Sequence, residues 1–303
     1  MKVLLTGSRG MLGSAILKVI PPSYDVEKPT RAELNLLSPQ DVNNFIANSK
    51  PDVVIHVAAK VGGIQANIDN PFEFLTENLR IDLNVLTTAQ AFAIPRLFYI
   101  GSTCMYPKDQ ETPLVEKDIL TGILEPTNEG YALAKIVGSK IVEIVATKKN
   151  LNWRVLIPSN LYGPGDNFNP NGSHLVAAII RKVDDAIKTD SPMIQMWGDG
   201  ESRREFTFVD DVAQFICDSL TNMELLPIMM NIGTSVDYSV REYYEKISKL
   251  MGYQGLIKAD LDKPNGMRRK LSDSSLALRH GWDPKTDLDT GLPKTIAWYR
   301  ENE

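Results

Sequence analysis

A doubly wound parallel α/β sheet carrying a smaller, interleaved α/β lobe is the architecture that this 303-residue sequence predicts. Three observations carry it. The chain opens on a short apolar strand pattern, a glycine loop and an apolar-periodic helix; apolar runs of strand length then alternate with helical stretches; and no repeat or low-complexity linker divides the chain. Alternation of this kind gives parallel strands, because each crossover helix returns the chain to the same end of the sheet and covers one of its faces.

Residues 2–5 read as a buried strand, followed at once by Thr6-Gly7-Ser8-Arg9-Gly10-Met11-Leu12-Gly13 and a helix through Ile20. Glycines allow the tight turn and the close approach of backbone to a pyrophosphate, whose charge then meets the positive end of the helix. The start is therefore expected to be Rossmann-type, with Gly7, Gly10, Met11 and Gly13 at a dinucleotide, although the spacing is G-x-x-G-x-x-G rather than G-x-G-x-x-G. An acidic residue about twenty positions on would favour NAD and arginines would favour NADP. Glu27 and Glu33 flank Arg31, and Arg9 sits in the loop, so the residues alone leave both open.

Residues 51–59 form a strand pattern ending in small residues, where a cofactor would lie close to the backbone at Ala58. His56 within it reads as a packed, hydrogen-bonded histidine. Residues 71 to about 93 are helical, with Asn78, Asp82 and Asn84 among apolar positions. The strand at 96–100 delivers Gly101-Ser102-Thr103-Cys104-Met105-Tyr106-Pro107 to its carboxyl end, where open α/β sheets bind ligands. A helix from 128 to about 147 then carries Tyr131 and Lys135, whose four-residue spacing places both on one face. Lys135 is expected to lower the phenol's pKa and anchor a nicotinamide ribose, leaving Tyr131 to protonate a carbonyl oxygen. A second Tyr-x-x-x-Lys pair, Tyr24 and Lys28, lies between prolines that forbid a helix and is accidental.

A strand at 154–157 leads into the Gly-, Pro- and Asn-rich stretch 160–172, expected to be irregular, and loops of that length in a compact domain are usually functional. Ser173-His174 opens a helix to about residue 187; for a lone histidine there, capping or exposure is the default role. Residues 195–200 read as strand and turn. Arg203-Arg204-Glu205-Phe206 leads into a helix beginning near Val209, so that an arginine before a helix start would suit a diphosphate. A strand at 228–233 returns to the sheet. These assignments give a dinucleotide domain of residues 1–160 with a return segment 205–235, and a second lobe of 161–204 and 236–303.

The net charge of −5 and the pI near 5.4 argue against nucleic acid or an anionic membrane as a partner, so that an anion would be held by local arginines. Two distant cysteines fit a reducing compartment, and three scattered histidines make no metal site. The opening lacks a signal-peptide pattern and no stretch reaches membrane-spanning length; a cytoplasmic enzyme is expected.

Taken together, the glycine loop, Gly101-Ser102-Thr103-Cys104-Met105-Tyr106-Pro107, Tyr131-x-x-x-Lys135 and a later sugar lobe resemble the extended short-chain dehydrogenase/reductases. Within them the chain is similar to the branch that epimerises and reduces GDP-4-keto-6-deoxy-mannose, through Ala58-Ala59-Lys60-Val61-Gly62-Gly63-Ile64, Leu124-Glu125-Pro126-Thr127-Asn128-Glu129, Asn160-Leu161-Tyr162-Gly163-Pro164 and Arg204-Glu205-Phe206. The resemblance implies Ser102, Tyr131 and Lys135 as the reductase residues and Cys104 with His174 as an acid/base pair. It implies NADP(H) as cofactor through Arg9 and Arg31, and GDP-sugar contacts at Asn160, Lys182, Trp197, Arg204 and Lys270, with Lys182 standing where the family usually has arginine. It also implies a homodimer built on the helices at 71–93 and 128–147. A related GDP-heptose or GDP-dideoxy sugar, and an NAD-dependent nucleotide-sugar epimerase, are the alternatives that the same motifs would serve.

Overall fold

The computed structural model describes residues 1–110, 113–170, 172–262 and 267–303; Asn171, within the loop expected at 160–172, lies outside them. In chain order the first half contains β1 (Lys2–Thr6), α1 (Met11–Val19), β2 (Asp25–Glu27), α2 (Pro39–Ser49), β3 (Val53–His56), α3 (Ile64–Asp69), α4 (Pro71–Ala91), β4 (Arg96–Ile100), α5 (Glu129–Lys149) and β5 (Asn152–Pro158). The second contains β6 (Asn160–Tyr162), α6 (Leu175–Lys188), β7 (Met193–Trp197), β8 (Arg203–Phe208), α7 (Val209–Ser219), β9 (Met229–Ile232), β10 (Asp237–Ser239), α8 (Val240–Met251), β11 (Leu256–Asp260), β12 (Arg269–Lys270), α9 (Ser275–Leu278) and α10 (Leu288–Asn302).

The large sheet is six-stranded and parallel in the order β2-β1-β3-β4-β5-β9. Its strands read as unbroken apolar runs because both faces are covered. Val3, Leu5, Val53, Ile55, Phe98 and Leu156 point to one core, under α1 and α7. Leu4, Val54, Leu97, Tyr99, Trp153 and Val155 point to the other, under α2, α4 and α5. At about 1.5–3 kcal/mol for each large buried apolar side chain, this two-sided burial is what fixes strand register. The chain leaves β1 toward one edge and β3 toward the other, so a crevice opens at their carboxyl ends, the topological switch point.

The lobe is built on β8, which pairs with β6, β10 and β12, beside a separate β7–β11 pair. An aromatic cluster of Tyr162, Phe206, Phe208 and Tyr243 fills it. Two boundaries differ from the sequence reading. Residues 205–208 continue the lobe strand β8 rather than starting the return segment, which begins with α7. Conversely, Ala277 and Trp282 pack beneath the large sheet, the Trp282 indole donating to the Gly233 carbonyl at 2.7 Å. Among the described residues no helix is long and apolar enough to cross a membrane.

Candidate active site

At the end of β1 the chain turns through Gly7, at φ +74, so close to the residues after β3 that a Cβ on it would stand 2.7 Å from the Ala58 amide nitrogen. β3 ends at His56, earlier than residue 59, and the backbone of Val57 and Ala58 beyond it lies against Gly7. Gly10 is the N-cap of α1, Met11 its first residue, and a Cβ on Gly13 would fall 2.2 Å from the Gly7 carbonyl oxygen. The loop is thus a cradle of bare backbone at a helix start, the form that fits a pyrophosphate. Arg9 within it and Arg31 after β2 are exposed.

β4 ends at the opposite side of the crevice. Ser102 caps a single 3₁₀ turn, Thr103–Met105, its hydroxyl accepting the Cys104 amide N–H at 3.2 Å. The same hydroxyl meets Tyr131 on the first turn of α5. Burial, then the neighbouring Cys104 and Asp82, push the Tyr131 phenol well above its ordinary value, only partly opposed by the Ser102 bond. The expectation that Lys135 lowers this phenol is not met. The buried Lys135 ammonium lies 3.6 Å from Asp82 and 4.5 Å from the centre of the Tyr99 ring, so its charge is directed to the interior carboxylate. A phenol kept protonated in this way is still a proton donor, and that is the role its position suits.

Around Cys104 the lobe closes in. Asn128 Nδ2 donates to its sulfur at 3.1 Å and Lys270 Nζ at 3.7 Å. Lys270 reaches it from β12, where it is the register partner of Arg204 on β8; both therefore project from the same face of the small sheet. Arg204 lies near Cys104 and Glu125, its guanidinium pushed down by burial and supported by both. Arg204 stands near the start of β8, the strand that runs directly into α7 at Val209. Arg203, pointing the other way, is bound to Asp237, which also holds Arg269. His174 is the N-cap of α6, with no side-chain capping bond, and its imidazole is held below its ordinary value by burial and by the charge of Lys270. Cys104, Lys270 and His174 are thereby brought together. Lys182 and Trp197 form a second group: Lys182 Nζ lies 5.2 Å from the Trp197 ring and bonds the Gln195 carbonyl and the Tyr244 hydroxyl, each at 3.2 Å. Asn160 opens β6, opposite Phe206 in register.

Three residues that shape the site escaped the residue-by-residue reading. Asn128 was legible only as part of a motif. Glu205, buried and raised by burial, accepts bonds from the Ser272 amide, the Ser272 hydroxyl and the Ser235 amide, fastening the chain after Lys270 to β8. Asp82 was visible as an acidic residue on an apolar helix face, but its partners come from other elements.

The sequence profile of the NAD dependent epimerase/dehydratase family matches residues 3–233. The chain is 44% identical to the GDP-L-colitose synthase of Yersinia pseudotuberculosis, over 99% of this chain and 98% of that one. It is 43% identical to the GDP-L-fucose synthase of Azorhizobium caulinodans, over 98% and 96%. Among solved structures it superposes on a GDP-mannoheptose C4 reductase from Campylobacter jejuni with NADP bound, at a TM-score of 0.86 and 27% identity, covering 99% of this chain and 98% of that chain. With the glycine cradle at the switch point, Ser102, Tyr131 and Lys135 in one crevice and a match of this extent, the chain belongs to the NAD dependent epimerase/dehydratase family.

Proposed function

We propose that this protein converts GDP-4-keto-6-deoxy-D-mannose to GDP-L-fucose, inverting C3 and C5 and then reducing C4 with NADPH. The observation that carries the reading is the meeting of two chemistries at the end of β4: Ser102 with Tyr131 and Lys135, and Cys104 with Lys270 and His174. A reductase needs the first set alone. The second is what an inversion next to a carbonyl requires, one group to remove a proton and another to return one on the opposite face.

The 4-keto group acidifies C3–H and C5–H. Cys104 and His174 exchange those protons, while the Ser102 and Tyr131 hydroxyls hold the oxygen of the enolate that forms. Gly7, Gly10, Met11, Gly13 and Ala58 hold the dinucleotide backbone, Arg9 and Arg31 its extra phosphate, and Lys135 the ribose. Bound NADPH supplies the hydride for C4. Tyr131 gives its proton to the C4 oxygen. Arg204 and Lys270 face the sugar diphosphate end of the crevice from the lobe, with Asn160, Lys182 and Trp197 completing the nucleotide side. Lys270 has a double task in this reading, since it also bonds the Cys104 sulfur and its charge bears on His174. Residues 161–208 and most of 236–303 form the sugar lobe, and the enzyme works as a cytoplasmic homodimer.

NADPH oxidation with GDP-4-keto-6-deoxy-mannose, followed by NMR identification of GDP-L-fucose, tests the reading; NADH binding tighter than NADPH, or turnover without net NADPH consumption, would contradict it. The colitose-synthase relative favours a second reading, colitose being a dideoxy sugar: epimerisation and C4 reduction of a GDP-dideoxy-4-keto sugar. Faster turnover of that substrate in the same assay would decide for it.

A further inference from the structure

Behind Lys135 lies a line of hydrogen bonds that the reaction above does not use. Its members come from β1, β3, α4, β4 and α5: Thr6, His56, Asp82, Tyr99 and Lys135, each of them buried. The Thr6 hydroxyl meets His56 Nδ1 at 2.7 Å, His56 Nε2 meets Asp82 Oδ1 at 3.1 Å, the Tyr99 hydroxyl donates to Asp82 Oδ2 at 2.5 Å, and Lys135 Nζ stands 3.6 Å from the same Oδ2. An ionised carboxylate only accepts, so His56 carries its proton on Nε2 and takes the Thr6 O–H on Nδ1. Burial holds His56 below its ordinary value against the pull of Asp82, so the ring is neutral. The charges in the line are then one carboxylate and one ammonium.

Two roles are open to such a line, a proton path or a brace. A path must reach water, and this one ends at Thr6, itself 2% exposed and next to the glycine cradle. It is a closed end. A brace needs a fixed carboxylate, and Asp82 is fixed from two sides by His56 and Tyr99. Burial alone would raise Asp82, but Lys135, His56 and Tyr99 together hold it ionised; burial lowers Lys135, and Asp82 is the group that opposes this.

We propose that Asp82 is a positioning residue for the reductase half of the site: it is the buried counter-ion that keeps Lys135 charged and aimed at the cofactor ribose, with His56 and Tyr99 setting the direction of its two oxygens. The inference rests on the reading of Lys135 as the ribose-binding lysine. The groups that face Lys135 and its counter-ion are Asp82 from α4, His56 from β3, Tyr99 from β4 and Tyr131 from α5, and of these only Asp82 is negative near neutral pH.

The test is the pH dependence of NADPH affinity, read by quenching of protein fluorescence, with no sugar present. Affinity that depends on the Lys135 ammonium is lost as pH rises through the pKa of that group. In Asp82→Asn burial acts unopposed, so this loss moves to lower pH by about one unit or more, and affinity on the alkaline side of the wild-type midpoint falls by up to about tenfold. Tyr99→Phe keeps the ring but removes one of the two bonds that fix Asp82 and hold it ionised, so the loss moves the same way by a smaller amount. A packing role alone would move neither profile. Profiles of both variants superposing on wild type would overturn the proposal, and should Asp82→Asn not fold, an unshifted Tyr99→Phe profile does so by itself. Lys135→Met separates the two readings: unchanged NADPH affinity there would remove Lys135 from the cofactor site, whereas lost affinity with superposed Asp82→Asn and Tyr99→Phe profiles would leave Lys135 in place and sink the brace.

Discussion

Tyr131 and His174 are displaced in opposite directions by one environment. Burial and nearby negative groups keep the phenol protonated, while burial and Lys270 keep the imidazole neutral. The first suits a group that gives a proton once, to the C4 oxygen; the second bears on a group that must carry one in the inversion. Tyr131→Phe is accordingly expected to lower reduction by about 10²–10⁴-fold while solvent deuterium still enters C3 or C5, as monitored by NMR of the unreduced sugar. Equal loss of both would make Tyr131 necessary for enolisation as well. If His174 delivers its proton as imidazolium, exchange falls as pH rises through a value below the ordinary imidazole range. A neighbouring cation disfavours a second positive charge, so Lys270→Met raises the His174 pKa and moves that fall to higher pH. An exchange profile unchanged in Lys270→Met would remove His174 from the acid role.

At the scale of elements, what was legible in the sequence followed from burial on two faces or one. β1, β3, β4 and β5 announce themselves as apolar runs, and the helices 71–93 and 128–147 by their period; the observed α4 and α5 differ from these by two residues at most at each end. β8 did not, because its first residues are Arg203-Arg204-Glu205 and its pairing partners, β10 and β12, are three and two residues long and arrive only at 237 and 269. A charged strand start has no signature until the sheet that receives it is known. The same holds for the site: Tyr131 and Lys135 were found by spacing and Ser102 by its place at a strand end, whereas Asp82 joins His56 and Lys135 across crossovers that no local pattern encodes. Glu205 shows how much such a long-range contact carries. Its carboxylate receives three donors from the chain at 235 and 272, and Glu205→Gln would set an amide N–H against one of them. We expect a loss of about 1–3 kcal/mol in urea unfolding and slower deuterium exchange at the sugar, since Lys270 lies two residues from this anchor. Wild-type stability in Glu205→Gln would mean that the serines find other partners.

For the whole molecule the unanswered surface is the outer side of α4 and α5, which pack side by side against one face of the large sheet. Their inner sides supply Asp82, Tyr131 and Lys135, while Leu133, Val137 and Ile144 recur exposed along α5 at positions 4 and 11 residues apart, and Leu83 is exposed on the adjacent α4. All four are more than a third exposed, and Ile144 is 59% exposed. On a helix those intervals return to nearly the same direction, so they form one apolar stripe, and a stripe on two adjacent helices is self-complementary about a two-fold axis, giving a four-helix contact between copies. The proposed homodimer covers it. Light scattering on the eluting protein should give twice the 33.8 kDa chain mass, and the double substitution Val137→Glu, Ile144→Glu should return it to a single chain by placing like charges across the axis. Because the glycine cradle at the switch point is built wholly within one chain, the separated protein should still bind NADPH with wild-type affinity. A wild-type mass of one chain would refute the dimer; a variant that stays dimeric would move the contact to another surface.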